Sequence, residues 1–157
     1  MKFGWINFVG AVIVLLMLVP NIIYAVNNKD EKNRCTNRFM NIIEQIGRYS
    51  CIVLMWMPLL IWKFGFKSVF EMVLYVIGNL LLLIAYYIGF AIYMKKKRTG
   101  FADNMGKKNV GLAMTLAIIP SFIFIFSGVL LRHWLLVGFA VLFAIGHIYV
   151  TWQNTRN

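Results

Sequence analysis

The chain has 157 residues, of which 61 % are hydrophobic and 13 % are charged, and its mean hydropathy is +0.76. Soluble domains carry about 25 % charged residues, so this composition excludes a soluble enzyme or sensor domain and predicts a protein of the lipid bilayer. The net charge of +11 lies mainly in the polar connections, which favours anionic lipid headgroups as partners. We expect no nucleic-acid partner, because the sequence contains no soluble module with a basic and aromatic surface.

Five apolar stretches fill almost the whole chain, at about residues 3–26, 37–62, 69–94, 110–131 and 134–152. A helix needs about 20 mostly apolar residues to cross a hydrocarbon core about 30 Å thick. The sequence therefore predicts an all-α integral membrane protein in which residues 1–157 form a single domain, a bundle of five transmembrane helices.

The first stretch resembles a secretory signal peptide but is too long for one. The apolar part of a signal peptide spans about 7–15 residues, and the segment Tyr24–Asn27 lacks the small-residue pattern of a cleavage site. We interpret this stretch as a retained helix. Asn21 lies near its end, on a helical face shared with Asn7 and with small residues.

The second stretch differs from the others because one face of its first half is polar. At about 100° per residue, five side chains fall within one stripe: Asn37, Asn41, Glu44, Gln45 and Arg48. Two interpretations remain open. The stripe packs as a paired charge with Arg48 reaching toward the interface, or it lines a cavity, since intramembrane charges often mark a ligand or ion path.

A second polar group is predicted where the third stretch begins and where the fourth and fifth meet. Glu71 opens the third stretch, and Arg132 and His133 form the short turn between the last two. We expect Glu71 to contact Arg132 or His133 as an outer clamp between helix ends. A structural role is favoured for this clamp.

The fifth stretch places His147 at a depth similar to that of Glu44 and Asn21. We therefore predict an inner ligand-binding cluster that consists of Asn21, Asn41, Glu44, Gln45, Arg48 and His147. A histidine beside a carboxylate can relay a proton; the alternative for His147 is a hydrogen-bonded packing role.

The distribution of basic residues predicts the orientation. Eleven Lys and Arg residues lie on the side of the first and third connections and the C-terminus, four lie on the other side, and Arg48 lies inside a helix. The positive-inside rule then places the N-terminus outside and the C-terminus in the cytoplasm. Size and basic loops are typical of a protein of the bacterial inner (plasma) membrane.

No motif in the sequence indicates a reaction. Nucleophile elbows, HExxH and glycine-rich phosphate loops are absent, and we predict no catalytic residue and no cofactor. We also predict no metal site, because zinc takes three or four ligands and His147 with Glu44 would supply two. Cys35 and Cys51 have neither metal-ligand nor disulfide-framework spacing.

Three classes of function remain open. The chain binds or transports a small ligand or ion through a cytoplasm-facing polar cavity, as a possible homo-oligomer. Alternatively, it is an accessory or structural subunit that packs against a larger membrane protein. Third, it is a small lipid-modifying enzyme with Glu44 or His147 as the acid–base group. The first class is favoured because five polar residues share one helical face, and an enzyme is disfavoured.

Overall fold

A computed structural model describes residues 7–29, 35–57, 59, 66–98 and 106–156. The described residues form five helices: α1 (Phe8–Asn27), α2 (Arg38–Trp56), α3 (Val69–Arg98), α4 (Gly106–Leu130) and α5 (Trp134–Arg156). The beginning of the first predicted stretch, residues 3–6, and the end of the second, residues 60–62, lie outside the described residues. The all-helical class predicted from the sequence is confirmed.

Four of the five helices are long and apolar enough to cross a bilayer: Phe8–Asn27, Val69–Lys96, Val110–Leu130 and Trp134–Thr155. Much of their apolar surface is exposed, as with Leu15 on α1 and Leu81 on α3, which suits contact with lipid rather than with water. These features are those of a multi-pass membrane protein. The fifth expected span, α2, does not meet the same criterion, because the polar stripe interrupts its apolar character.

Helix α2 is also shorter than the predicted stretch 37–62, and a proline explains its end. Pro58 follows Met57, and a residue that precedes proline is pushed out of the helical region into extended backbone. Met57 has φ −113° and ψ 115°, so the helix ends at Trp56. Pro20 and Pro120, in contrast, lie inside α1 and α4.

Polar side chains cap the N-termini of three of the helices. The Asn7 side chain accepts from the backbone N–H of Gly10 at 3.0 Å, and Asn37 accepts from Phe39 and Met40. At the beginning of α3, Ser68 Oγ accepts from the backbone N–H of Glu71 at 3.1 Å. Each oxygen satisfies a donor that a helix leaves without a partner in its first turn.

The helices form a ring in the order α1, α2, α5, α4, α3, in which α3 returns to α1. The basic end of the bundle is the end at which α1, α3 and α5 finish and α2 and α4 begin; the opposite end carries the turn between α4 and α5. A buried core that includes Met55, Tyr75, Phe124 and Leu136 fills the ring toward the opposite end. Helix α2 therefore packs between α1 and α5, and it also touches α4.

Two glycines allow α2 and α5 to approach closely. A Cβ atom at Gly47 would lie 2.7 Å from the backbone nitrogen of Phe143, and a Cβ atom at Gly146 would lie 2.7 Å from the backbone nitrogen of Glu44. Small residues at such positions permit backbone-to-backbone contact between helices. The glycines thus fix the height at which the polar stripe of α2 meets α5.

We expect Gly146→Ala to destabilise the protein by about 1–3 kcal/mol, because the new methyl group would collide with the backbone of α2. Gly138 provides a matched control on the same helix, since nothing lies within 4 Å of its Cβ position. There alanine should be neutral or stabilising through its better helix propensity. Denaturant unfolding in detergent micelles, followed by circular dichroism, measures both. Equal effects of the two substitutions would contradict this account of the contact.

Candidate functional site

The carboxylate of Glu44 is the centre of the inner polar group. Its residue is only 6 % exposed. Oε1 accepts a hydrogen bond from Nη2 of Arg48, one turn further along α2, and lies 2.8 Å from Nδ1 of His147 on α5. A buried carboxylate needs such partners, because leaving it unpaired in a dry interior costs several kcal/mol. The i, i+4 spacing supplies the first partner, and the close approach of α5 supplies the second.

The imidazole of His147 is held on two sides. Its ring stacks on Phe143, with centroids 4.9 Å apart and planes 17° from parallel, while Nδ1 faces Glu44. A carboxylate at Nδ1 fixes that nitrogen as the hydrogen-bond donor and leaves Nε2 as the atom for any further partner. Among the described residues, no hydrogen bond to Nε2 is formed. The guanidinium carbon of Arg48 lies 5.9 Å from the Phe143 ring centroid.

A cavity of about 560 Å³ lies inside the ring near the basic end. Helices α1, α3, α4 and α5 line it. The lining includes Asn21, Tyr24, Asn28, Lys29, Tyr86, Phe90, Tyr93, Leu116, His147, Thr151 and Asn154. His147 therefore has one edge against Glu44 and belongs at the same time to the cavity wall. A cavity of this size can hold a small organic molecule, since such sites are typically about 300–1,000 Å³.

The carboxamide of Asn21 on α1 is oriented by its neighbours. Its Oδ1 accepts from the hydroxyl of Tyr86 on α3 at 3.1 Å, and its Nδ2 donates to the backbone carbonyl of Met17 at 3.3 Å. The rings of Tyr24 and Tyr93 also meet between these helices, with centroids 6.1 Å apart. The wall between α1 and α3 is thus aromatic and polar.

The structure separates the six residues of the predicted inner cluster. Glu44, Arg48 and His147 contact one another, and Asn21 lines the same cavity as His147. The Asn41 amide donates to the backbone carbonyl of Cys35 at 3.2 Å. Gln45 lies on the exposed face of α2, because the next residue after Glu44 is rotated about 100° around the helix.

The predicted outer group forms one ion pair, between Glu71 and Arg132. Their side chains meet at 2.6 Å, and Glu71 also accepts from the backbone N–H of Lys67 at 2.8 Å. His133 makes a different contact: its Nε2 lies 3.3 Å from the carbonyl oxygen of Leu59. Burial lowers the pKa of His133, so its imidazole is neutral at neutral pH. The group joins the α4–α5 turn to the beginning of α3 and to the chain after α2.

The turn between α4 and α5 requires an unusual backbone at Arg132. Its φ is 54°, in the left-handed region that glycine usually occupies at the end of a helix. The backbone N–H of His133 donates to the carbonyl of Gly128 at 2.7 Å, which closes the helix end. The ion pair with Glu71 favours arginine at this strained position.

A buried polar network near the opposite end was not predicted as a unit. Four residues in it are fully buried: Asn7, Tyr75, Asn79 and Ser127. Nδ2 of Asn7 donates to the Tyr75 hydroxyl at 3.4 Å, and Ser127 Oγ donates to Oδ1 of Asn79 at 3.1 Å. In the sequence, the spacing of Tyr75 and Asn79 indicates a polar face on α3. The spacing does not show which residues of α1 and α4 are their partners.

The described residues contain no group of three or more His, Cys, Asp or Glu side chains suited to a metal ion. A separate depression of about 550 Å³ lies outside the ring between α2, α4 and α5, and mainly apolar side chains such as Met40, Ile145 and Trp152 line it. None of the described residues that line it is charged, so it offers no ionic group to orient a ligand. The cavity inside the ring is therefore the better candidate site.

No protein-family model, curated protein or solved structure matches this chain. The candidate site consequently rests on the geometry of the described residues alone.

We expect a strong energetic coupling between Arg48 and Glu44. Arg48→Leu should lower the free energy of unfolding by about 1–3 kcal/mol, because it leaves a buried carboxylate with one partner fewer. In a Glu44→Gln background the same change should cost less than half as much, since no charge remains to be compensated. A double-mutant cycle of unfolding in micelles measures the coupling. Additive effects of the two substitutions would show that the pair contributes nothing to stability.

Proposed function

We propose that this chain is a five-span membrane protein that binds a small anionic or strongly polar molecule in the cavity inside its helix ring. One observation carries the proposal: His147 lines the cavity and is positioned from behind by Glu44. A histidine that contacts a carboxylate on one side and a cavity on the other is oriented to present its second ring nitrogen to a ligand.

The proposal includes α2 as the fifth span. Its support is the contact of Glu44 with Gly146, because α5 is one of the four helices with membrane-spanning character. Gly146 follows Trp134 by twelve residues, which corresponds to about 18 Å along the axis. The middle of α2 therefore lies beside the inner part of a helix with membrane-spanning character, and α5 covers the carboxylate of Glu44.

The proposed orientation has the N-terminus outside and the basic end in the cytoplasm of a plasma membrane. The connections and the C-terminus at the basic end carry eleven basic residues in the sequence, against four at the opposite end. Cytoplasmic loops are the ones enriched in Lys and Arg. Anionic headgroups of that leaflet are then the partners of the loops, and the cavity opens toward the cytoplasm.

The charge of the lining favours an anionic ligand over a cationic one. No carboxylate occurs among the described residues that line the cavity, and Lys29 is a lining residue. The carboxylate of Glu44, which lies behind His147, already accepts from Arg48 and contacts His147. Basic loops also raise the local concentration of anions by electrostatic steering. The aromatic side chains Tyr86 and Phe90 would pack against an apolar or planar part of the ligand.

Donation to an anionic ligand requires a hydrogen on both ring nitrogens of His147. Nδ1–H would then donate to Glu44 and Nε2–H to the ligand. A carboxylate ligand would then enter together with a proton. Transport would further require the buried network of Asn7, Tyr75, Asn79 and Ser127 to open, because it closes the ring beyond the cavity.

We expect a cysteine at position 151 to react with a membrane-impermeant maleimide from the cytoplasmic side only. Thr151 lines the cavity. In a Cys35→Ser, Cys51→Ala background, which removes the native thiols, the Thr151→Cys side chain should therefore be accessible to water. Ala140→Cys is the matched control on α5, because Ala140 is fully buried. Labelling of inside-out and right-side-out vesicles distinguishes the sides. Protection of both cysteines, or labelling of Thr151→Cys from the outside, would contradict the cytoplasm-facing cavity.

We expect the purified protein in nanodiscs to bind benzoate more tightly than benzylammonium, which has a similar size and the opposite charge. His147→Ala should weaken benzoate binding by about 10-fold or more, as expected for loss of one charge-assisted hydrogen bond. Titration calorimetry or saturation-transfer NMR gives the affinities.

Two lysines provide a charge-matched control for this experiment. Lys29→Ala should weaken benzoate binding, whereas Lys67→Ala, at the opposite end, should leave it unchanged. A preference for benzylammonium would refute the anionic assignment, and full benzoate affinity in His147→Ala would remove His147 from the site.

A further inference from the structure

The side of α2 that faces away from the ring is mainly apolar. Its exposed residues include Ile42, Ile46, Tyr49 and Val53, which are between 46 % and 62 % exposed. Gln45 lies among them and is also exposed. We call Ile42, Gln45, Ile46, Tyr49 and Val53 the α2 outer face.

Gln45 lies at a depth where no water is available. Its neighbour Glu44 packs against Gly146 of α5, about 18 Å along that helix from Trp134. A hydrocarbon core is about 30 Å thick, so this height lies inside the core rather than at its edge. This step rests on the bilayer placement of α2 proposed above.

A carboxamide at this depth requires a hydrogen-bond partner. It offers two N–H donors and one oxygen acceptor, and burying such a group in an apolar medium without partners is unfavourable. No described residue of this chain forms a hydrogen bond with the Gln45 side chain. The neighbouring polar residues point elsewhere: Glu44 to His147 and Asn41 to the carbonyl of Cys35.

We propose that two copies of this chain associate through the α2 outer face, with the Gln45 carboxamides hydrogen-bonded to each other across a two-fold axis. A carboxamide is self-complementary, because the N–H group of each copy can donate to the oxygen of the other. A two-fold axis places the same residue of both copies opposite itself. Glutamine and asparagine drive helix association in membranes in this way.

The sequence of α2 has the spacing that such a contact needs. Ile42, Gln45 and Tyr49 are separated by three and then four residues, the spacing by which helices pack at a small crossing angle. The like charge of Arg38 at the helix start lies at the basic end, where anionic headgroups screen it. The α2 outer face is opposite the contact with α5, so the dimer leaves the cavity open.

Disulfide formation between copies tests the geometry of the dimer. In a Cys35→Ser, Cys51→Ala background, mild oxidation in vesicles should link Gln45→Cys chains into dimers. Leu81→Cys is the matched control, because Leu81 is exposed to a similar degree on α3; it should remain monomeric at the same protein density. Links at position 81 and none at position 45 would overturn the proposed interface.

Fluorescence energy transfer between labelled copies at varied lipid-to-protein ratios tests the energetics. We expect the wild-type chain to dimerise and Gln45→Leu to weaken dimerisation about 5- to 30-fold, which corresponds to one interhelical hydrogen-bonded pair of about 1–2 kcal/mol. Gln45→Asn, which keeps the carboxamide, should retain part of the affinity. A monomeric wild type, an unchanged dimer in Gln45→Leu, or co-purification in fixed ratio with a different membrane protein would each refute the proposal.

Failure of the dimer and failure of the cavity proposal give different results. Benzoate binding by a monomeric protein would refute only the dimer proposal. A dimer that does not bind benzoate would refute only the proposed ligand site. Labelling of Gln45→Cys by an impermeant maleimide, as fast as in unfolded protein, would refute the bilayer placement of α2, and the dimer with it.

Discussion

The close approach of α2 to α5 is the constraint on which the inner part of the molecule depends. Gly47 and Gly146 allow the two backbones to touch, and this contact brings the carboxylate of one helix within hydrogen-bond distance of an imidazole on the other. Without it, Glu44 would lack His147 as a partner, and a charged helix would have to lie against lipid. The least apolar helix of the bundle therefore packs closely on a neighbour that is long and apolar enough to span the bilayer.

Polar side chains have different surroundings in the two halves of the ring. Toward the opposite end, Asn7, Tyr75, Asn79 and Ser127 are fully buried and use one another as partners, which makes that half a sealed core. Toward the basic end, Asn21, Tyr86 and His147 line an open cavity. Polar residues in a membrane bundle can thus join helices through buried hydrogen bonds, or they can line a cavity. The difference depends on whether the neighbouring side chains fill the space between the helices.

Much of the architecture could be predicted from the sequence, because apolar length and helical periodicity are local properties. The spacing of Glu44 and Arg48 likewise predicted a pair that forms within one helix, and similar depth suggested His147 as their neighbour. The ring order α1, α2, α5, α4, α3 is not local, so sequence could not show that Gln45 is exposed while Asn21 lines the cavity. Pro58 in the sequence indicates that α2 ends near Trp56. The apolar residues that follow Pro58 favoured a longer helix in the prediction.

The tight turn at Arg132 has a consequence for how the protein is made. Two helices joined by so short a connection enter a bilayer as one hairpin, and in the proposed orientation the hairpin carries a guanidinium across the membrane. Its counter-ion is already in position, because Glu71 precedes Arg132 in the chain and α3 is synthesised first. The order of residues along the chain therefore lets the last translocated charge be neutralised on arrival, without waiting for any later segment.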